Sequence, residues 1–258
     1  MRDHRFTDDD FPVIVAHRGA SSSRPENTLA SFEEALRLGA RIVELDVRLS
    51  RDGVAVVMHD ATVDRTTDGT GAVHELLRDE LAGLNAGDAD GPQAVPTLAE
   101  VLDLVTGRAA VALEIKNLPG EPGFQTGGEA IVEAVHEELV RTAFDGPVLV
   151  LSFNPASIGA SRAIDPGVPT GLLSTEHVPP REALAHAVEA GHEMVLPGTG
   201  SLIPEGASFV GDVHAAGLRV GTWTVDDPDR LGMLLDRGVD AIASNDPAMA
   251  LAVLARRP

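Results

Sequence analysis

Short β-branched runs alternate along this chain with longer stretches whose apolar residues recur at helical spacing. The runs cover residues 13–16, 42–47, 110–115, 148–152, 168–173, 194–196, 219–224 and 240–243. Each is short, largely apolar and bounded by Gly, Pro or Asp, which is how strands buried on both faces read. Helical patterns occupy residues 27–38, 98–105, 129–143, 155–163, 181–190, 206–216, 228–236 and 247–255. Eight strands and eight helices in alternation predict a parallel sheet. The count and right-handed crossovers favour closure into a TIM-type (β/α)8 barrel over an open doubly wound sheet.

One interval breaks the rhythm. The stretch between the second run and the helix at Leu98 is far longer than the usual βα loop. It holds a turn at Asp52-Gly53, a short run over 54–58, a short helix near 75–81 and a Gly/Asp-rich loop to Pro96. This predicts a small insertion over about residues 48–96, on the catalytic face of a single domain spanning 1–258. No internal repeat or low-complexity segment appears beyond the βα rhythm.

Composition narrows the function classes. The length of 258 residues suits one barrel. A net charge of −20 without a basic run argues against nucleic acid as a partner. No apolar run is long enough for a membrane helix, and the start, residues 1–11, is polar and acidic. These features predict a cytoplasmic protein with no stable membrane association. Cysteine is absent, which excludes thiolate metal sites and a cysteine nucleophile. Of the twenty basic residues only Lys116 is lysine. Lysine and arginine differ in geometry and hydration, so a compact ammonium at one position points to a site that requires it.

Barrel active sites form at the carboxyl ends of strands. His17-Arg18-Gly19 follows the first run, Glu44 and Asp46 lie on the second, Glu114 and Lys116 on the third, and His59-Asp60 after the inserted run. Residues two apart on a strand point the same way. Glu44 and Asp46 therefore share a face, as do Glu114 and Lys116, while Leu45, Val47, Leu113 and Ile115 face helices. Carboxylates this close resist ionisation unless a cation joins them, and all-oxygen ligation suits Mg²⁺ or Ca²⁺. Structural ion pairs with arginine are the competing reading. His17 and His59 are the acid/base candidates. His4, His74, His136, His177, His186, His192 and His214 fall in helices, loops or the terminus and are read as ordinary. Gly19 would let a backbone approach a ligand, and Asn27-Thr28 would cap the first helix. Gly198-Thr199-Gly200 reads as a loop, and no phosphate-cradling G-x-x-x-x-G-K-[ST] run exists.

With those residues in hand, the sequence closely resembles the glycerophosphodiester phosphodiesterase family. The resemblance runs in order through Ala16-His17-Arg18-Gly19, Pro25-Glu26-Asn27-Thr28, Glu44-Leu45-Asp46-Val47, Val56-Val57-Met58-His59-Asp60, Leu113-Glu114-Ile115-Lys116 and Trp223-Thr224-Val225. It implies one divalent cation on Glu44, Asp46 and Glu114, with His17 and His59 as general acid and base. It implies phosphate binding by Arg18 and Lys116, and Trp223 facing the glycerol, although barrel packing would equally account for that tryptophan. The implied substrate is a small-molecule glycerophosphodiester, cleaved to sn-glycerol 3-phosphate and an alcohol. One departure stands out. The family usually carries Thr-Asp-x-Pro after the last strand, and here Ser244-Asn245-Asp246-Pro247 stands, so a charge is lost. Asn245 is not counted among the catalytic residues on this reading. Alternatives are a phospholipase-type phosphodiesterase on lysophospholipid or inositol lipid, and a non-catalytic barrel binding metal or phosphodiester. The sequence leaves the oligomeric state, the metal and the division of labour between the two histidines open.

Overall fold

Eight of the runs become parallel strands that hydrogen-bond side by side until the last meets the first. The computed structural model describes residues 4, 6–126 and 129–257; residues 1–3 and 5 of the acidic start lie outside the described residues. The barrel consists of β1 (Val13–Ala16), β2 (Ile42–Leu49), β4 (Ala110–Ile115), β5 (Val148–Ser152), β6 (Thr170–Ser174), β7 (Met194–Pro197), β8 (Arg219–Thr222) and β9 (Ala241–Ser244). Parallel pairing of β1 with both β2 and β9 closes it. The crossover helices are α1 (Leu29–Arg37), α3 (Leu98–Val105), α4 (Glu129–Arg141), α5 (Pro155–Ile164), α6 (Pro180–Ala190), α7 (Thr199–Ala215), α8 (Pro228–Asp236) and α9 (Pro247–Leu254).

The barrel strands alternate between two cores. Side chains such as Val43, Leu45, Val47, Val111, Leu113 and Ile115 point outward and are fully buried against the helices. Val13, Val15, Ile42, Ala110, Ala112, Leu151, Leu173, Met194, Leu196 and Ala241 point inward and form a second cluster. Several of the inward residues are alanine, so the interior is not filled. A cavity of about 620 Å³ runs from the carboxyl end of the strands to Phe6 and Phe11 at the opposite end. Asp10 pairs with Arg41, and Asp8 with Arg219, at that end.

The predicted insertion is present. β3 (Ala55–Val57) pairs antiparallel with the part of β2 that overshoots the barrel, Leu49 opposite Ala55. A 3-10 turn (Val73–Glu75) and α2 (Arg78–Ala82) follow. Val56, Met58, Val63, Val73, Leu81, Ala86 and Val95 give this segment its own small core. The segment ends at Thr97, whose hydroxyl accepts from Glu100 N to cap α3.

One helix differs from the expectation. α7 starts at Thr199, so the glycine-rich segment 198–200 opens a helix and is not a loop. Pro204 lies inside it, and Gly206 adopts non-helical angles (φ 69°, ψ −165°). This break interrupts the apolar period and hides the first turn from a sequence reading. Among the described residues no helix is long and apolar enough to cross a membrane.

Candidate active site

The site grows from the alternation of β2 and β4. Leu45 and Val47 face the helices, so Glu44 and Asp46 must face the barrel. The register sets Asp46 opposite Glu114 on the adjacent strand. One oxygen from each of Glu44, Asp46 and Glu114 lies within 4.8 Å of the others, and all three side chains are buried. Burial and the neighbouring Asp46 charge push Glu44 up to about 8. Burial likewise pushes Glu114 up to about 7, with Lys116 pulling against it. Burial also opposes ionisation of Asp46, but Lys116 and Arg18 outweigh it and hold that carboxyl well below the usual range. Glu44 Oε1 and Asp46 Oδ1 have no hydrogen-bond partner. An orphaned buried acceptor, Glu44 Oε1, in an all-carboxylate cluster fits a hard divalent cation.

Three residues brace this cluster. Arg18 adopts a left-handed backbone (φ 56°), and its amide donates to Glu44 Oε2 at 2.9 Å. Its guanidinium lies 3.3 Å from Asp46 Oδ2 and donates to Glu26 Oε1 at 2.9 Å. Lys116 Nζ donates to Glu114 Oε1 at 2.7 Å and sits 3.3 Å from Asp46 Oδ1. The ion pairs do not exclude a cation, because they leave Glu44 Oε1 without a partner. Asn27 does not cap α1. Thr28 does, its hydroxyl accepting from Ser31 N, while Asn27 Nδ2 donates to Asp46 Oδ2 at 2.8 Å. Gly19 (φ 82°) likewise serves packing, since a Cβ there would run into Ser31 of α1.

Both histidines reach the cavity with Nδ1 already held. His17 Nδ1 lies 2.7 Å from Asn245 Oδ1, and its Nε2 lies 4.0 Å from Glu44 Oε2. His59 Nδ1 lies 2.6 Å from Asp60 Oδ1, and Asp60 is gripped in turn by Arg65. Burial depresses the pKa of both rings, with Arg18 adding to the effect at His17. Arg48 donates twice to the carbonyl of His59, at 2.9 and 2.6 Å, and pairs with Glu121. The insertion thus reaches the barrel through a β2 side chain.

The structure brings His17, Arg18, Glu44, His59, Glu114, Lys116 and Trp223 onto one cavity wall, with Asp46 buried behind. Trp223 follows β8, donates its indole N–H to Leu196 O at 3.0 Å and meets Phe153 edge to face at 5.2 Å. Trp223 is packed in this way and also lines the cavity. Asn27, Arg48, Asn245 and Asp226 were not legible as site residues. The signals were the departure at Asn245 from the expected Asp and the place of Asn27 in the matched segment Pro25-Glu26-Asn27-Thr28. Of the remaining histidines, His136 bonds Ser161, His192 bonds Thr170 and His214 bonds Asp240, all away from the cavity.

Known proteins resemble the chain over most of its length. Residues 17–249 match the model of the glycerophosphoryl diester phosphodiesterase family. The chain is similar to a glycerophosphodiester phosphodiesterase of Caldanaerobacter subterraneus, 34% identical over 244 residues, covering 91% of this chain and 94% of that protein. It is similar to one of Bacillus subtilis, 32% identical, covering 91% and 84%. Among solved structures, an Oleispira antarctica phosphodiesterase in complex with the product sn-glycerol-3-phosphate superposes with a TM-score of 0.87. Their sequences are 29% identical, covering 96% of this chain and 98% of that one.

Proposed function

The chain belongs to the glycerophosphoryl diester phosphodiesterase family, and from that premise we propose how its own residues carry the reaction. It is a phosphoric diester hydrolase acting on glycerophosphodiesters, with sn-glycerol 3-phosphate and an alcohol as products. The observation that carries the assignment of residues is the convergence of two imidazoles, three buried carboxylates and the single lysine at one cavity mouth.

Glu44, Asp46 and Glu114 hold one divalent cation, Mg²⁺ or Ca²⁺, as their oxygen-only donor set suits a hard ion. When bound, that ion supplies neutralising charge and Lewis acidity at a phosphoryl oxygen. Lys116 and Arg18 add the positive charge that steadies the phosphate as it gains negative charge in the transition state. They also answer how so acidic a protein attracts an anion. One of His17 and His59 takes the proton from the attacking oxygen, and the other returns a proton to the departing alkoxide. The attacking oxygen belongs either to water or to the neighbouring glycerol hydroxyl; in the second case a cyclic phosphate forms as the alcohol leaves, and water then opens it to sn-glycerol 3-phosphate. Trp223, its N–H already committed to Leu196, offers the glycerol a flat apolar face.

The test is a screen of glycerophosphodiesters with an enzymatic glycerol 3-phosphate readout, with and without divalent ions. We expect release from at least one of glycerophosphocholine and glycerophosphoethanolamine. Turnover confined to dispersed lysophospholipid or inositol lipid would contradict the substrate reading. Tight binding of glycerophosphodiesters without turnover in the presence of metal would contradict catalysis.

A further inference from the structure

We propose that Asp226 is a positioning residue: acting through the carboxamide of Asn245, it fixes the orientation and tautomer of the His17 ring. The inference rests on the catalytic role given to His17 above. Three loops meet here. His17 leads the loop after β1, Asp226 lies in the loop after β8, and Asn245 follows β9. The Asp226 carboxylate receives three donors from the β9 end: Asn245 N at 2.8 Å, Asn245 Nδ2 at 2.6 Å and Ser244 Oγ at 3.0 Å.

A carboxylate can only accept, so the amide nitrogen of Asn245 must face Asp226. Its oxygen must then face the other way, where it meets His17 Nδ1 at 2.7 Å. An amide oxygen also only accepts, so Nδ1 carries the hydrogen. In the neutral ring this leaves Nε2 bare, on the side of Glu44. Proton exchange with substrate therefore occurs at Nε2, whichever direction the proton moves. Ser21 completes the clamp, its hydroxyl lying 2.7 Å from the His17 carbonyl and 3.0 Å from Asn245 Oδ1. Without Asp226 only the Ser21 hydroxyl, whose single hydrogen the His17 carbonyl also draws at shorter distance, favours the amide oxygen on this side. A flipped amide would present N–H₂ to Nδ1 and put the ring proton on Nε2.

The pair is a carboxylate and an amide in series, so exchanging them should preserve the logic. In the double variant Asp226→Asn/Asn245→Asp, the new carboxylate accepts from His17 Nδ1, and the new amide donates to that carboxylate. The experiment compares wild type, Asp226→Ala and the exchanged pair as full-length proteins. The readouts are the ¹⁵N shifts of the His17 ring, kcat and KM. We expect the wild-type ring to be protonated at Nδ1, and Asp226→Ala to give a mixture of tautomers. Its kcat should fall by about 10–100-fold, the range for losing the partner that orients a site ligand, with KM little changed. The exchanged pair should restore both tautomer and kcat. Wild-type tautomer and kcat in Asp226→Ala would overturn the proposal. So would an exchanged pair with mixed tautomers and a kcat at least about 10-fold below wild type, and that result also decides the matter if Asp226→Ala fails to fold. The shift readout needs no substrate. A tautomer that changes while kcat does not would uphold the positioning and instead sink the catalytic role of His17.

Discussion

Asp60 shows how a single site residue couples charge to stability. Its bond from Arg65, helped by His59, holds its carboxyl down to about 2 against the raising effect of burial. The ordinary aspartate value is 3.8. A folded-state value below the unfolded one contributes stability that is complete above the unfolded pKa and is lost as pH falls through the folded one. The stability difference between wild type and Asp60→Asn should therefore be constant above about pH 5 and shrink between about pH 4 and 2. Thermal or urea melts across that range check it, and a difference that persists at the acid end would contradict the assignment. Glu44, Asp46, Glu114 and Lys116 were legible because a two-residue period on a strand fixes which face they share. Asn27, Asp226 and Asn245 were not, because each reaches the site from a loop; Arg48 follows the same two-residue period on β2, but its partner, the His59 carbonyl, is distant in sequence. Their residue types are equally common as caps, ion pairs and turns. Asn27 was misread for that reason, since a helix cap and an aspartate brace look alike in sequence.

At the scale of elements, the loop after β1 does much of the positioning. Arg18 and Asn27 both take left-handed angles to aim at the carboxylates, and Gly19 lets the turn lie against α1. Gly19→Ala needs both a disfavoured φ and room that Ser31 occupies. It should cost more than about 1 kcal/mol, read as a fall in melting temperature of at least about 2–4 °C. An unchanged melting temperature would show that the turn is not held as described. The barrel strands and most helices were legible, since buried parallel strands write uninterrupted apolar runs and crossover helices write an amphipathic period. The start of α7 was lost because Pro204 and Gly206 break that period while tertiary packing keeps the turn before them helical. The insertion was recognised by its length and by the Asp52-Gly53 turn, but its packing on β2 depends on contacts distant in sequence.

For the whole molecule, the barrel gathers the residues of the candidate site at one end of an interior lined largely by apolar side chains. Small inward residues leave the cavity below them unfilled. A net charge of −20 would repel a phosphodiester, and the site answers this with local cations. Lys116 and Arg18 are supplied by the chain, and the carboxylate cluster is suited to recruit one more from solution. The central claim is that hydrolysis runs through that cluster and the two histidines. The most direct measurement is the initial rate of sn-glycerol 3-phosphate release, on protein stripped with EDTA and then titrated with Mg²⁺ or Ca²⁺. It should be run on wild type, His17→Ala and His59→Ala, each shown to be folded by its circular dichroism. The account predicts no rate without the ion and recovery with it in the wild type. It predicts recovered rates about 10²–10⁴-fold lower in each histidine variant. Full activity after exhaustive chelation, or wild-type rates in both histidine variants, would contradict it.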